Sequence, residues 1–169
     1  CTFTYTTEPA PAGYHYFKVA VANGCGGHSG CDIHLGRANA NKLLARFIWS
    51  VAKKHDVVIA EIEGGNLRNA IPRAASAIIG VPSAAKEDVR IAMNHYSAVV
   101  ENEYKGVEPN LSVDLESADA PAQCIDNATA MNLINALYCA PHGVISMSRE
   151  LEGLVETSTN LAAIKMLPN

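Results

Sequence analysis

Two stretches of helical periodicity, each set between strand-like runs, constrain this chain most. Leu43, Leu44, Phe47, Ile48 and Val51 recur at helical spacing, so residues 37–55 (RANANKLLARFIWSVAKKH) read as an amphipathic helix of about five turns. Pro82 and Ser83 announce a second long helix, whose apolar stripe runs through Val89, Ala92, Met93, Tyr96, Val99 and Val100. Ahead of the first helix, YHYFKVAVA alternates, with Tyr16, Lys18 and Ala20 on one face and Phe17, Val19 and Val21 on the other. DVVIAEIEG and RAASAIIGV read as two strands joined by the turn-rich GNLRNAIP, and NLSVDLES sets Leu111, Val113 and Leu115 against Ser112, Asp114 and Glu116. The order is strand, helix, strand, strand, helix, strand. Helices of this length need a sheet to bury their stripes. The pattern therefore predicts an α+β fold, an antiparallel sheet with long helices packed on one face, around a ferredoxin-like βαββαβ core. Added to it are an opening strand at CTFTYTT, a third helix capped by Asp126 with Ala130, Met131, Ile134 and Leu137 inward, and closing strands at GVISMS and LVETSTNLAAIKM.

A chain of 169 residues fits one domain. Its 13 Lys+Arg against 17 Asp+Glu give a net charge of -4, and no basic run follows a phosphate backbone, which speaks against nucleic acid as a partner. Apolar runs such as VVIA and AASAIIGV fall short of the roughly 20 residues of a membrane helix. No basic segment leads into an apolar one near the start, so neither a signal peptide nor a membrane anchor is expected. Cys1, Cys25, Cys31, Cys124 and Cys139 are odd in number and form no Cys-x-x-Cys pair, which argues against a secreted disulfide framework and for the cytoplasm. The chain opens without methionine and closes at KMLPN where another strand or turn is due, so it reads as a piece excised from a larger protein.

The candidate chemistry begins at GCGGHSGCDIHLGRANANKLL. His28 stands among Gly24, Gly26, Gly27 and Gly30, whose flexibility a plain connection does not need. It is either a surface loop residue or a side chain presented to a ligand. His28, Asp32 and His34 have ligand types that zinc prefers, yet no third histidine or thiolate completes the set, so no metal is expected within this chain. Cys25 and Cys31 read as small buried residues. In GGNLRNAIPRAA, Arg68 and Asn69 sit on a turn stiffened by Pro72 and can bind a carboxylate, or else form the solvated tip of an ordinary hairpin. VETSTN adds polar groups that read as exposed. No nucleophile–base pair, phosphate loop or carboxylate pair appears.

Taken together, GGHSGCDIHLGRANANKLLARFI, GGNLRNAIPRAASAII and GLVETSTNLAAIKM resemble the lid, or dimerisation, domain of bacterial aminoacyl-histidine (Xaa-His) dipeptidases, which are related to carnosinases and glutamate carboxypeptidases. The resemblance covers nearly the whole chain. It implies that residues 1–169 are a single lid domain inserted in a two-zinc catalytic domain, and that the lid pairs with its copy in a homodimer. In that family a zinc-bridging water attacks the peptide carbonyl, with a catalytic-domain Glu as base. His28 matches the lid histidine that reaches into the partner's active site and donates to the developing oxyanion. Asn69 matches a lid asparagine that holds the substrate's carboxylate or carbonyl, with Arg68 beside it. Both zinc ions would lie in the catalytic domain, of which no segment is found here: neither a His-x-Asp motif nor a Glu-Glu pair is set for it, and the lid's final strand, with its substrate-binding arginine, is not found before Asn169. Cys25 stands where the family more often has a larger or basic residue. The other reading is a free-standing α+β module for small-molecule binding or oligomerisation. The positions of the two ends distinguish them, since an inserted domain starts and finishes in one place.

Overall fold

A computed structural model describes residues 2–167. In chain order the elements are β1 (Thr7–Pro9), β2 (Tyr14–Ala22), β3 (Gly27–His28), α1 (Ala40–Ala52), β4 (Val58–Gly64), β5 (Ala70–Ile71), β6 (Ala75–Pro82), α2 (Lys86–Glu103), β7 (Ser112–Ala118), β8 (Gln123–Ile125), α3 (Asn127–Cys139), β9 (Gly143–Met147) and β10 (Val155–Thr159). The main sheet is antiparallel in the order β4-β6-β2-β7, so each of the two helices α1 and α2 links strands that have a third strand between them. This is the expected α+β, βαββαβ arrangement. In register, Phe17 faces Ile79 and Ser117, and Val19 faces Ala77 and Leu115. Phe17, Val19, Val21, Ile59, Ile62, Ile79 and Val81 bury the helix-side face of the sheet under Leu44, Phe47, Ile48, Val89 and Met93. Lys18 and Glu63 stay exposed between buried neighbours, and Asp114 and Glu116 stay exposed on β7.

Side chains cap the starts of α1 and α3, whereas α2 begins without a side-chain cap. Asn39 Oδ1 accepts the Lys42 amide at 3.1 Å, so α1 starts at Ala40 and not at residue 37 as its apolar period suggests. Asp126 caps α3 as expected, through the Thr129 amide at 2.9 Å. A 3-10 turn, Ser83–Ala85, leads into α2, whose buried stripe is narrower than expected: Val99 is 41% exposed, and Ile91 on the outer surface is 67% exposed.

Two strand expectations are corrected. The opening strand is only Thr7–Pro9, paired with β8, and the residues described before Thr7 are not in a strand; Cys1 lies outside the described residues. Strands form at both closing runs as expected, β9 and β10, and they pair with each other as an antiparallel hairpin. However, β10 stops at Thr159 and does not run to residue 166. There the Leu161 carbonyl accepts from Asn39 and Asn41, and Asn160 Nδ2 donates to the Ala70 carbonyl, which diverts the chain. It then crosses to the edge of β4, where Ile164 and Gly64 form an isolated antiparallel bridge. That leaves the outer edge of β7 without a strand partner among the described residues.

Candidate functional site

The segment between β2 and α1 carries His28. Gly26 (φ 63°) and Gly27 (φ 142°) take backbone conformations that other residues resist, and a side chain at Gly27 would run into Asp32 and Arg37. This close packing lets His28 pair with Ala70 across the short β3–β5 ladder. Asp32 Oδ2 accepts the His28 amide at 2.8 Å, the His28 carbonyl accepts the Asp32 amide at 2.8 Å, and the Ser29 amide donates to the Asn69 carbonyl at 2.9 Å. The ring is held as firmly as the backbone. Its Nδ1 accepts the amides of Gly30 at 3.0 Å and Cys31 at 3.2 Å. A nitrogen facing two donors carries no hydrogen, so in the neutral ring the hydrogen is on Nε2. The exposed imidazole is thus a fixed N–H donor with one free end.

That imidazole lines an open cleft of about 1180 Å³ on the uncovered side of the sheet, together with Lys18, Glu63, Asn69, Arg73 and Lys165. Asn69 is exposed and lines the cleft, a position compatible with both readings of its turn. Arg68 is also exposed but does not line the cleft; Arg73 does, held at its backbone by the Gly24 amide at 3.1 Å. The loop's own residues do not fit a zinc ion. Asp32 Oδ2 is committed to the His28 amide and lies 3.8 Å from Arg37, and His28 Nδ1 is blocked by two amides. His34 stands exposed on the adjoining 3-10 turn, Ile33–Leu35.

Cys31 is exposed, against the expectation of a small buried residue, and sits on the loop surface with its amide donating to the exposed His28 ring. Cys25 is half-buried, and its thiol is pushed up by hydrogen bonding to Glu108 and by burial. In VETSTN, Glu156 and Thr157 are exposed, whereas Asn160 is half-buried and bonds the Ala70 carbonyl beside His28. Two residues that sequence reasoning missed hold this region together. Glu108, buried, accepts the amides of Cys25 and Ala38; Asn39 bonds His142, Asn160 and Leu161. Asn39 falls within the run read as the first helix but not on its apolar stripe, and Glu108 lies between the second helix and the next strand, outside both patterns.

Residues 19–108, more than half of the chain, match the family model described as peptidase dimerisation domain. The chain belongs to that family. This peptidase dimerisation domain is 38% identical over 162 residues to the cytosol non-specific dipeptidase of Escherichia coli (strain K12), covering 96% of this chain and 33% of that protein. The crystal structure of aminoacylhistidine dipeptidase from Vibrio alginolyticus is similar to it with a TM-score of 0.94 and 38% identity, over 99% of this chain and 34% of that one. A putative amidohydrolase/peptidase from Burkholderia cenocepacia shares the fold more distantly, with a TM-score of 0.50 and 21% identity over 64% of this chain and 28% of that one. The dimerisation domain thus spans about a third of the length of the dipeptidases it matches. The family match runs from β2 to the end of the turn after α2, and so takes in His28, Asn69 and Glu108.

Proposed function

We propose that this domain is the lid and dimerisation domain of a cytoplasmic, two-zinc dipeptidase that hydrolyses Xaa-His dipeptides, and that His28 serves the active site of the partner subunit. The observation that carries this reading is the fixed Nε2–H donor of His28, in a domain whose relatives are named as dipeptidases. Attack on a peptide carbonyl concentrates negative charge on its oxygen. A donor already locked in place stabilises that charge without reorganising at the moment of reaction. Asn69, in the same cleft, supplies an amide to the substrate's carboxylate or carbonyl, and Arg73 lines that cleft beside it. Arg68 stands exposed at the same turn, where it meets a substrate carboxylate arriving from the rim. The two zinc ions, and the base that acts with them, belong to the part of the full-length protein outside these 169 residues.

Several features support the assembly. Tyr5 Oη donates to the Leu167 carbonyl at 3.2 Å, so the first and last described stretches lie side by side, as a domain inserted within a larger chain requires. The outer edge of β7 has no strand partner among the described residues, and α2, packed against β7, exposes Ile91 and Val99. We place the homodimer contact on this edge strand and helix. The Escherichia coli relative is named as cytosolic, and no helix among the described residues is long and apolar enough to cross a membrane.

The test is His28→Ala in the full-length protein. With fold, dimer and zinc content retained, kcat for a Xaa-His dipeptide falls by roughly 100-fold to 1000-fold, the range for one lost oxyanion donor, and KM changes less. An unchanged kcat overturns the role of His28.

A further inference from the structure

Glu108 stands in the turn between α2 and β7, 7% exposed, 83 residues from Cys25 and 70 from Ala38 in sequence. A carboxylate buried to this degree is costly unless donors meet its charge. Two do. Oε2 accepts the Cys25 amide at 2.7 Å, and Oε1 accepts the Ala38 amide at 2.8 Å. Cys25 lies just past β2 and Ala38 just ahead of α1, so they are the two stems of the loop that carries His28. One carboxylate closes that loop at its neck with charge-assisted bonds.

From this we infer that Glu108 is a positioning residue, which holds the glycine-rich loop closed so that His28 keeps its place in the cleft. The inference rests on the proposed role of His28. The relay is short. Beside Ala38, Arg37 Nη1 donates to the Gly26 carbonyl at 2.7 Å and lies 3.8 Å from Asp32 Oδ2, which accepts the His28 amide. Beside Cys25, Gly26 and Gly27 both take positive φ, and a loop released at its neck gains most freedom at glycines. Glu108 is not among the residues lining the cleft, so it does not itself touch a ligand held there. Glutamine keeps the shape of Glu108 but has a single acceptor oxygen, and its NH2 faces an amide donor. Glu108→Gln therefore opens one stem at nearly constant volume.

The experiment is a double-mutant cycle in the full-length protein, with carnosine as the Xaa-His substrate: wild type, His28→Ala, Glu108→Gln and the double variant. Glu108→Gln is expected to lower kcat about 10-fold to 100-fold with KM little changed, as small displacements of a catalytic group do. In the His28→Ala background it should cost nothing more, since no ring is left to position. An equal loss in both backgrounds, or no loss in Glu108→Gln where His28→Ala is slow, overturns the inference. If His28→Ala itself leaves kcat unchanged, the failure belongs to the proposed function, and amide hydrogen exchange then decides the clamp. Glu108→Gln should speed exchange at Cys25 or Ala38 and at His28, with the central strands β2 and β6 still protected. Unchanged exchange at His28, or at both Cys25 and Ala38, overturns the inference whatever the kinetics. Should Glu108→Gln unfold β2 and β6, Glu108→Asp, which keeps the charge and shortens the reach, replaces it in the same cycle with the same criteria.

Discussion

At Asn39 one side chain closes two structures. Its Oδ1 caps α1, which fixes the amide's orientation, and its Nδ2 faces His142 Nδ1 at 3.0 Å, Asn160 Oδ1 at 3.3 Å and the Leu161 carbonyl at 3.1 Å. His142 Nδ1 must therefore accept. Burial, and then the charge of Lys42, hold its pKa below the usual histidine value of 6.5. The folded state favours neutral His142 and the unfolded chain binds the proton more readily, so this contribution to stability is full above about pH 6.5 and is lost as pH falls. His15 is depressed in the same direction by burial, Lys86 and Arg90, so a pH profile of the wild type alone mixes the two. His142→Gln, which can still accept from Asn39, separates them. Thermal unfolding between pH 7.5 and pH 5 is expected to show a smaller acid loss of Tm in His142→Gln than in the wild type, at roughly the pH range where histidine titrates; parallel profiles contradict the assignment. At this scale the sequence is legible where composition is unusual. His28 stands out because glycines crowd it, while Glu108 and Asn39 act through partners distant in the chain that no local pattern announces.

Among the elements, α3 ends without a basic residue in its last turn, and α1 supplies one. Lys42 Nζ donates to the carbonyls of Leu137 at 2.9 Å, Tyr138 at 2.6 Å and Ala140 at 2.7 Å. A cation at a helix C-terminus meets both the free carbonyls and the negative end of the dipole. Trp49 stacks on Tyr138 at 4.1 Å along the same seam, and its Nε1 donates to Asn135 at 3.2 Å. Lys42→Met keeps the aliphatic stem and removes the cation. It should cost about 1–2 kcal/mol in urea unfolding, discounted for the part of the side chain that solvent reaches, and raise hydrogen exchange in the last turn of α3 before that in α1. Equal stability of the two proteins contradicts a capping role. The long helices and the strands β2, β4, β6 and β7 are legible because their periods repeat over seven residues or more. β1, β3, β5 and β8, of two or three residues each, are not. They exist because distant segments pair, and pairing leaves no period in so short a run. LVETSTNLAAIKM fails for a related reason, since Asn160 and Leu161 are recruited by β5 and α1 and end the alternation.

For the whole molecule, the sheet topology separates two duties. The outer edge of β7 has no strand partner among the described residues, while His28, on the β3–β5 ladder, accepts two backbone amides at Nδ1 and leaves Nε2–H free. Under the proposed function that free donor completes the partner's site, so neither subunit works alone. Co-expression of full-length His28→Ala subunits with subunits inactivated at a zinc ligand tests this directly, because pairing then occurs during synthesis and no later exchange is needed. Random pairing makes half the dimers mixed, and each mixed dimer joins one intact metal centre to one intact histidine from the opposite chain. Activity should return to about a quarter of the wild-type level per subunit, from two parents that are each nearly inactive, as expected for an isologous dimer with one repaired site in two. If His28 serves its own chain, no subunit in the mixture holds both an intact metal centre and an intact histidine, and no activity returns. Affinity tags on each parent, used to isolate the mixed dimer, convert that silence into a result against the crossed arrangement.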